Sequence, residues 1–372
     1  MNGGNGTLAP SHALANYLNK FKNGCNAEVI DIMSAANPLG EMLANVYNYL
    51  LSKSILSTAM YMELAHAFPI DRFPPYNSIG TAKCVDLICK DKPDAIVLIC
   101  PWISRMVQKA IRNYAVNGLK APRVFLVVVD LGPYMTTSWI NNQADFTFVS
   151  TENGLKFLFE HGLERESSAN FGVPLFTDFS KGLITPEEKK KARVKNNIDD
   201  DTKVITILGG REGVSNTTRI LKTLTRTRKE YTIIAQCGKN KKMLNKIKCL
   251  AKGHKTVRPM GYVQSMRELY SLSDVLITKP GAVTVSELVV SGSIFILDTW
   301  PVVMPQEKGN VIFVQENTFG SISKKIQDIP VIIEQLLEKN SLKEKDKNNQ
   351  KLRKDLYGTE KIGDKIIELI GT

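Results

Sequence analysis

The chain has 372 residues, 43% of them hydrophobic, and its 49 Lys and Arg against 37 Asp and Glu leave a formal net charge of +12. That length suits two domains with a core each, and no run of about 18 apolar residues offers a membrane span. The opening MNGGNGTLAP lacks the charged and apolar regions of a signal peptide. The six cysteines form no CxxC pair and no zinc spacing, so they read as reduced thiols of a cytosol-like compartment. With four histidines, a His-rich metal site is not expected. The positive charge fits an anionic membrane, nucleic acid or a phosphorylated substrate, or simply a solvated basic face. No nucleic-acid-binding motif accompanies it, so membrane surface ranks above nucleic acid.

Gly3, Gly4, Asn5 and Gly6 form a glycine-rich turn ahead of a predicted helix over 10–23. Such a turn normally follows a strand, which supplies its rigid base. Here only Met1 and Asn2 precede it, so a first strand is expected to be missing, by truncation, misassigned start or true absence. AEVIDI (27–32) reads as the next strand. Residues 37–68 carry more apolar positions than one buried stripe requires. They read as a pair of core helices, with a greasy surface for acyl chains as a compatible second reading. Strands follow at 92–100 (KPDAIVLIC), 123–129 (RVFLVVV, ending at Asp130) and 145–150, with helices at 81–90, 105–117 and 152–161. Near-continuous apolar strands alternating with helices predict a parallel α/β sheet, closing a first domain over 1–174.

Residues 175–202 are polar, contain EEKKKARVKNN, and are expected to be a linker. Asp199 to Asp201 within it read as a solvated turn before a strand, not as metal ligands. A second α/β series over 203–350 follows, with strands at 203–208, 231–237, 255–257, 274–278 and 293–297. A basic tail and a last helix over 351–372 are expected to pack back on the first domain. The centre of this half is DVLITKPGAVTVSE (274–287). It reads as a buried strand, a turn on Pro280 and Gly281, and a helix starting near Thr284. Its unpaired N–H groups and positive dipole end favour an anion, usually a phosphate. Gly209, Gly210, Gly213, Gly238, Gly261 and Gly281 all fall where strands end, the ligand side of an open parallel sheet.

These residues resemble the nucleotide-sugar half of GT-B glycosyltransferases. The likeness is to the monogalactosyldiacylglycerol synthase and processive diacylglycerol glucosyltransferase group, relatives of the peptidoglycan N-acetylglucosaminyltransferase. It is carried by GGREG (209–213), CGKN (237–240), MGYV (260–263), TKPGAVTVSE (278–287) and PQEKGN (305–310). The first domain resembles the group more faintly, through GGNG (3–6), NP (37–38), KPDAIV (92–97), VVDL (128–131) with Trp139, and FGVP (171–174). The resemblance implies two Rossmann-like domains facing across a cleft, a UDP-sugar donor, a diacylglycerol-type acceptor, and no metal or other cofactor. It implies donor contacts from Gly209, Gly210 and Gly238. Tyr262 and Val263 would offer backbone groups to uracil, Gly281 and Thr284 would hold the diphosphate, and Glu287 would take the ribose hydroxyls. Gln306, Glu307 and Asn310 would take the donor sugar and neighbouring phosphate. Gly4, Gly6 and Thr7 would form the acceptor loop. Thr284 to Glu287 also has the spacing of a capping box, in which Glu287 only satisfies the helix start.

The chain departs from the group at the base. Thr7 stands where the group carries His, and threonine is no general base near neutral pH. Thr136 stands where a second His is expected. Asp130, at the carboxyl end of its strand, is then the candidate proton acceptor, with a loop cap as its plain alternative; His12 reads as a helix-surface residue. The expectation is an inverting hexosyltransferase, cytoplasmic and peripheral on an anionic membrane. A regulatory protein that binds UDP-sugar without turnover is the alternative, and an epimerase would need further acid–base residues.

Overall fold

The computed structural model describes residues 6–32, 38–53, 55–68, 70–116, 120–209, 216–227, 230–338 and 349–371. The chain divides into two compact bodies. One comprises Met1–Thr177, Met304–Gly309 and Asp355–Thr372; the other comprises Asp178–Val303 and Asn310–Lys354.

The first body is built on a parallel sheet of β1 (Ala95–Leu98), β2 (Arg123–Val128), β3 (Phe146–Val149) and β4 (Ser168–Asn170), side by side in that order. A central parallel strand is covered on both faces, and Val124 to Val128 are accordingly all buried. Val124 and Leu126 pack with Met106, Ala110 and Ile111 of the helix Ser104–Val116. Phe125 and Phe148 pack with their rings tilted by 56°, and Phe148 meets Phe171 edge-on at 5.0 Å. The last helix, Thr359–Gly371, belongs to this body: the Tyr17 hydroxyl donates to Asp364 Oδ1 at 2.7 Å, and the Leu175 N–H donates to Thr359 Oγ1 at 2.8 Å.

One local expectation changes here. Residues 27–32 form no strand. The Asn19 side chain takes both polar groups of Ala27, donating to its carbonyl and accepting from its N–H, so they are lost to any ladder. The expected helix pair is present as Pro38–Lys53 and Ile55–Ala67. Thr58, Ala59 and Met62 are buried, while Met42, Val46, Tyr49, Leu56, Met60 and Leu64 face outward. Leu56, Met60 and Leu64 recur every four residues, so they share one helical face.

The second body is a six-stranded parallel sheet ordered β10-β9-β8-β5-β6-β7. Its strands are β5 (Val204–Leu208), β6 (Thr232–Gln236), β7 (Val257–Met260), β8 (Val275–Thr278), β9 (Phe295–Asp298) and β10 (Ser321–Ser323). The order reverses between β5 and β8, and such a switch point opens a crevice at the carboxyl ends of the strands. The stretch 178–202 is no free linker here. It holds the helix Pro186–Lys195, started by a capping box between Thr185 and Glu188. Arg193, fully buried, donates to Asp274 Oδ2 at 2.8 Å and to the carbonyls of Asp200, Thr202 and Leu272. The Asp199–Asp201 turn is therefore wrapped around a cation. Asp274 also accepts from Lys189 and from the Val204 N–H, pinning the entry of β8 to that of β5. Burial pushes the Asp274 carboxyl up, but these donors outweigh it and hold it below its usual value.

Candidate active site

In the second body, the site is assembled where β5, β6, β7 and β8 end. Gly209 leaves β5 with its N–H on the Gln236 carbonyl at 2.8 Å. Gly238 leaves β6 at φ +56°, a left-handed conformation that glycine adopts without a Cβ penalty. Gly210 and Gly213 lie outside the described residues. After β7, Tyr262 is well exposed, with Lys239 Nζ 5.1 Å from the centre of its ring, and Val263 is half-buried.

The helix after β8 starts at Ala282, two residues earlier than expected, with Gly281 in extended conformation at its N-cap. Pro280 and Gly281 cannot extend the ladder and the helix simultaneously, so the break falls on them. No side chain caps this helix and its first turn carries no acid, so its leading N–H groups have no charged side chain of their own turn opposite them. Thr284 is the third helical residue and half-buried. The turn is braced from below, since Asn310, fully buried, donates its amide to the Pro280 carbonyl at 2.9 Å.

The capping-box reading of Thr284 and Glu287 fails. The helix start is at Gly281, and Glu287 Oε2 instead accepts the hydroxyl of Tyr270 at 2.7 Å. Glu287 is buried, and burial pushes its carboxyl up to about 7; the Tyr270 bond opposes that rise and the negative charge of Asp178 adds to it. Nothing in the sequence pattern singled out Tyr270. The available signal was its place on the helix Met266–Leu272, immediately before β8.

In the first body, Asp130 sits two residues past β2, half-buried. The Trp139 indole N–H donates to its Oδ2 at 2.8 Å, and Ser150 Oγ donates to its backbone carbonyl. Burial pushes this carboxyl up to about 6, the Trp139 bond opposes, and the carboxylate of Glu307 adds to the rise. The Asp130 side chain thus does not cap its own loop but accepts from an aromatic donor. Trp139 is itself locked. Asp71, fully buried, accepts from Ser138 Oγ at 2.5 Å and from Arg105 Nε at 3.3 Å, and Arg72 donates to Thr137 at 2.8 Å.

The expected donor-sugar set divides. Gln306 and Glu307 belong to the first body and Asn310 to the second. Glu307 is buried, and Gln306 Oε1 is buried without a hydrogen-bond partner among the described residues. Their turn, Pro305–Glu307, is held by close backbone approach: a Cβ on Gly132 would lie 2.1 Å from the Gly309 carbonyl oxygen. Lys308 pairs with Glu63 and lies over the Tyr134 ring. Of the expected acceptor loop, Gly4 lies outside the described residues. Thr7 accepts on its carbonyl from the N–H and hydroxyl of Ser11, and His12 is exposed on the helix surface.

Two family models match this chain. The monogalactosyldiacylglycerol (MGDG) synthase model covers residues 9–175, and the glycosyltransferase family 28 C-terminal domain covers residues 204–361. Each half of the chain thus matches a glycosyltransferase family model, and the chain is similar to the MGDG synthase and processive diacylglycerol glucosyltransferase group. It is 25% identical over 337 residues to a processive diacylglycerol β-glucosyltransferase of Bacillus licheniformis, covering 88% of this chain and 83% of that protein. MurG of Acinetobacter baumannii has the same GT-B fold, with a TM-score of 0.55, 17% identity and 79% of each chain covered. So does Anabaena HepE, solved in complex with UDP-glucose, with a TM-score of 0.52, 12% identity, and 80% of this chain and 84% of that one covered. Among the described residues, no helix of this glycosyltransferase is long and apolar enough to cross a membrane.

Proposed function

We propose that this glycosyltransferase moves a hexose, glucose or galactose, from a UDP-sugar to a hydroxyl of a diacylglycerol-type lipid, with inversion and at the surface of an anionic membrane. The observation that carries the reading is the uncapped helix start at Gly281, beside a buried carboxylate that a neighbouring hydroxyl holds in place. The helix start stabilises the departing diphosphate through its N–H groups and dipole, and Glu287 takes the ribose diol. Asp130 accepts the proton of the acceptor hydroxyl. A carboxylate that ionises near pH 6 is a stronger base than an ordinary aspartate and is still mostly ionised at pH 7. Gly209, Gly238, Tyr262 and Val263 frame the nucleotide; Gln306, Glu307 and Asn310 are the proposed sugar and phosphate contacts. The outward row Leu56, Met60 and Leu64, with Met42, Val46 and Tyr49 on the preceding helix, is the proposed meeting surface for acyl chains. The +12 charge favours anionic headgroups.

The test is incubation with radiolabelled UDP-glucose or UDP-galactose and vesicles containing diacylglycerol. Labelled glycolipid is expected with one donor; no lipid product with either removes the transfer reading. One residue favours a second reading, a UDP-sugar-binding regulator without turnover: Thr7 stands where the group carries a histidine. Calorimetric binding of UDP-sugar with no transfer supports that reading instead.

A further inference from the structure

A buried carboxylate is expensive to keep, and a single hydroxyl does not satisfy it. An ionised Glu offers about four acceptor sites on two oxygens. Among the described residues, Glu287 accepts a hydrogen bond at Oε2 from Tyr270. An apolar pair of the same volume is commonly as stable as a buried polar one. The pairing therefore suits a ligand better than it suits the core. The Tyr270 side is also over-braced for a packing residue. Its helix, Met266–Leu272, is capped by Ser265, whose hydroxyl also donates to Asp178 at 3.0 Å. Arg267, buried, grips Glu188 with two nitrogens at 3.0 and 2.8 Å and the carbonyls of Gly182 and Leu183. The Tyr270 ring, fully buried, packs 6.0 Å from that of Phe179. The hydroxyl that meets Glu287 is thus fixed by packing and by ion pairs, while Glu287 itself has three rotatable side-chain bonds.

We propose that Tyr270 is a positioning residue for donor recognition: by holding Oε2 it turns Oε1 of Glu287 toward the diol of the bound nucleotide. This rests on the reading of Glu287 as the ribose ligand. Tyr270 touches no substrate atom and acts through the carboxylate alone. Its loss therefore weakens only ligands that carry the diol, and raises KM for the donor while leaving kcat unchanged.

The full chain is titrated by calorimetry with UDP, 2′,3′-dideoxy-UDP and pyrophosphate, as wild type, E287Q, Y270F and the double variant. Wild type is expected to prefer UDP over the dideoxy form, and Y270F to lose about five- to ten-fold of that preference. Affinity for pyrophosphate stays unchanged in both single variants, and the double variant is no worse than E287Q. A Y270F protein that keeps the wild-type preference, while E287Q loses it, overturns the role of Tyr270 and leaves Glu287 as the ribose ligand. An E287Q protein that keeps the preference overturns both. Replacement of Tyr270 by 4-aminophenylalanine, which retains a donor of similar size, carries the test if Y270F does not fold: it keeps the preference, and loss of preference there overturns the proposal.

Discussion

Asp130 and Glu287 are built alike and differ in one way that separates their chemistry. Each lies beyond the carboxyl end of a parallel strand, in a separate body, with one aromatic donor: the indole of Trp139 for Asp130 and the hydroxyl of Tyr270 for Glu287. Burial raises both, to about 6 and about 7. Asp130 lies in a loop and is half-buried, whereas Glu287 lies within a helix and is 5% exposed. A group in a loop with an opening can exchange a proton with an incoming hydroxyl. A group walled into a helix can present one oxygen and little else. The same desolvation thus serves a proposed base in one body and a proposed hydrogen-bond acceptor in the other.

The sharpest way to break this comparison is Asp130→Asn. A lost general base lowers kcat by about 10²- to 10⁴-fold, with UDP affinity unchanged by calorimetry. An activity close to wild type would give the two carboxylates the same passive role. The next largest effect is on stability. Both folded-state values lie above the ordinary carboxylate values of 3.8 and 4.5, so the native state holds these protons more tightly than the unfolded chain. The stability linked to them is full below about pH 4 and is lost as pH rises through about 6 for Asp130 and about 7 for Glu287. Glu287→Gln is therefore expected to be more stable than wild type at pH 8 by roughly 1–3 kcal/mol, and little different at pH 5, in urea unfolding without ligand. A gain of equal size at both pH values would mean that the substitution acts through packing.

Smaller effects sharpen the contrast in surroundings. Gly132→Ala forces a Cβ against the Gly309 carbonyl at 2.1 Å, in the turn that carries Glu307. A loss of about 1–3 kcal/mol in unfolding free energy is expected from such a backbone clash, with a lower pH midpoint for kcat as Glu307 moves off Asp130. A midpoint that stays in place separates Glu307 from the behaviour of Asp130. The smallest effect is Trp139→Phe. Removing the indole donor takes away the one contact that lowers the Asp130 value, so the pH midpoint of kcat rises by about one unit. The equivalent profile is unmoved by Tyr270→Phe, because Tyr270 serves the other carboxylate.

Much of this molecule is legible along the chain. RVFLVVV reads as a strand buried on both faces because parallel strands lie under helices on each side. Pro280 and Gly281 announce a turn because one lacks a donor and the other lacks a Cβ. Asp130 could be nominated from its place at the carboxyl end of a strand, and Glu287 from the family resemblance. AEVIDI reads as a strand by composition, yet Asn19 takes the backbone groups of Ala27 that a ladder would need. Thr284 to Glu287 has capping-box spacing, yet the helix starts at Gly281 and the carboxylate bonds elsewhere. The stretch 175–202 is polar, yet it is no loose connector: it carries a capped helix tied down by Arg193 to Asp274 and by Glu188 to the buried Arg267.

The sequence by itself determined the parallel α/β class, the glycine-marked strand ends and the family likeness, because periodicity, chain breakers and motif order are local properties. Only the tertiary structure decided which groups share a site: Trp139 with Asp130, Tyr270 with Glu287, and Glu307 with the first body. Those pairings join residues separated along the chain, and the burial that raises each carboxyl arises only when the elements around it have packed.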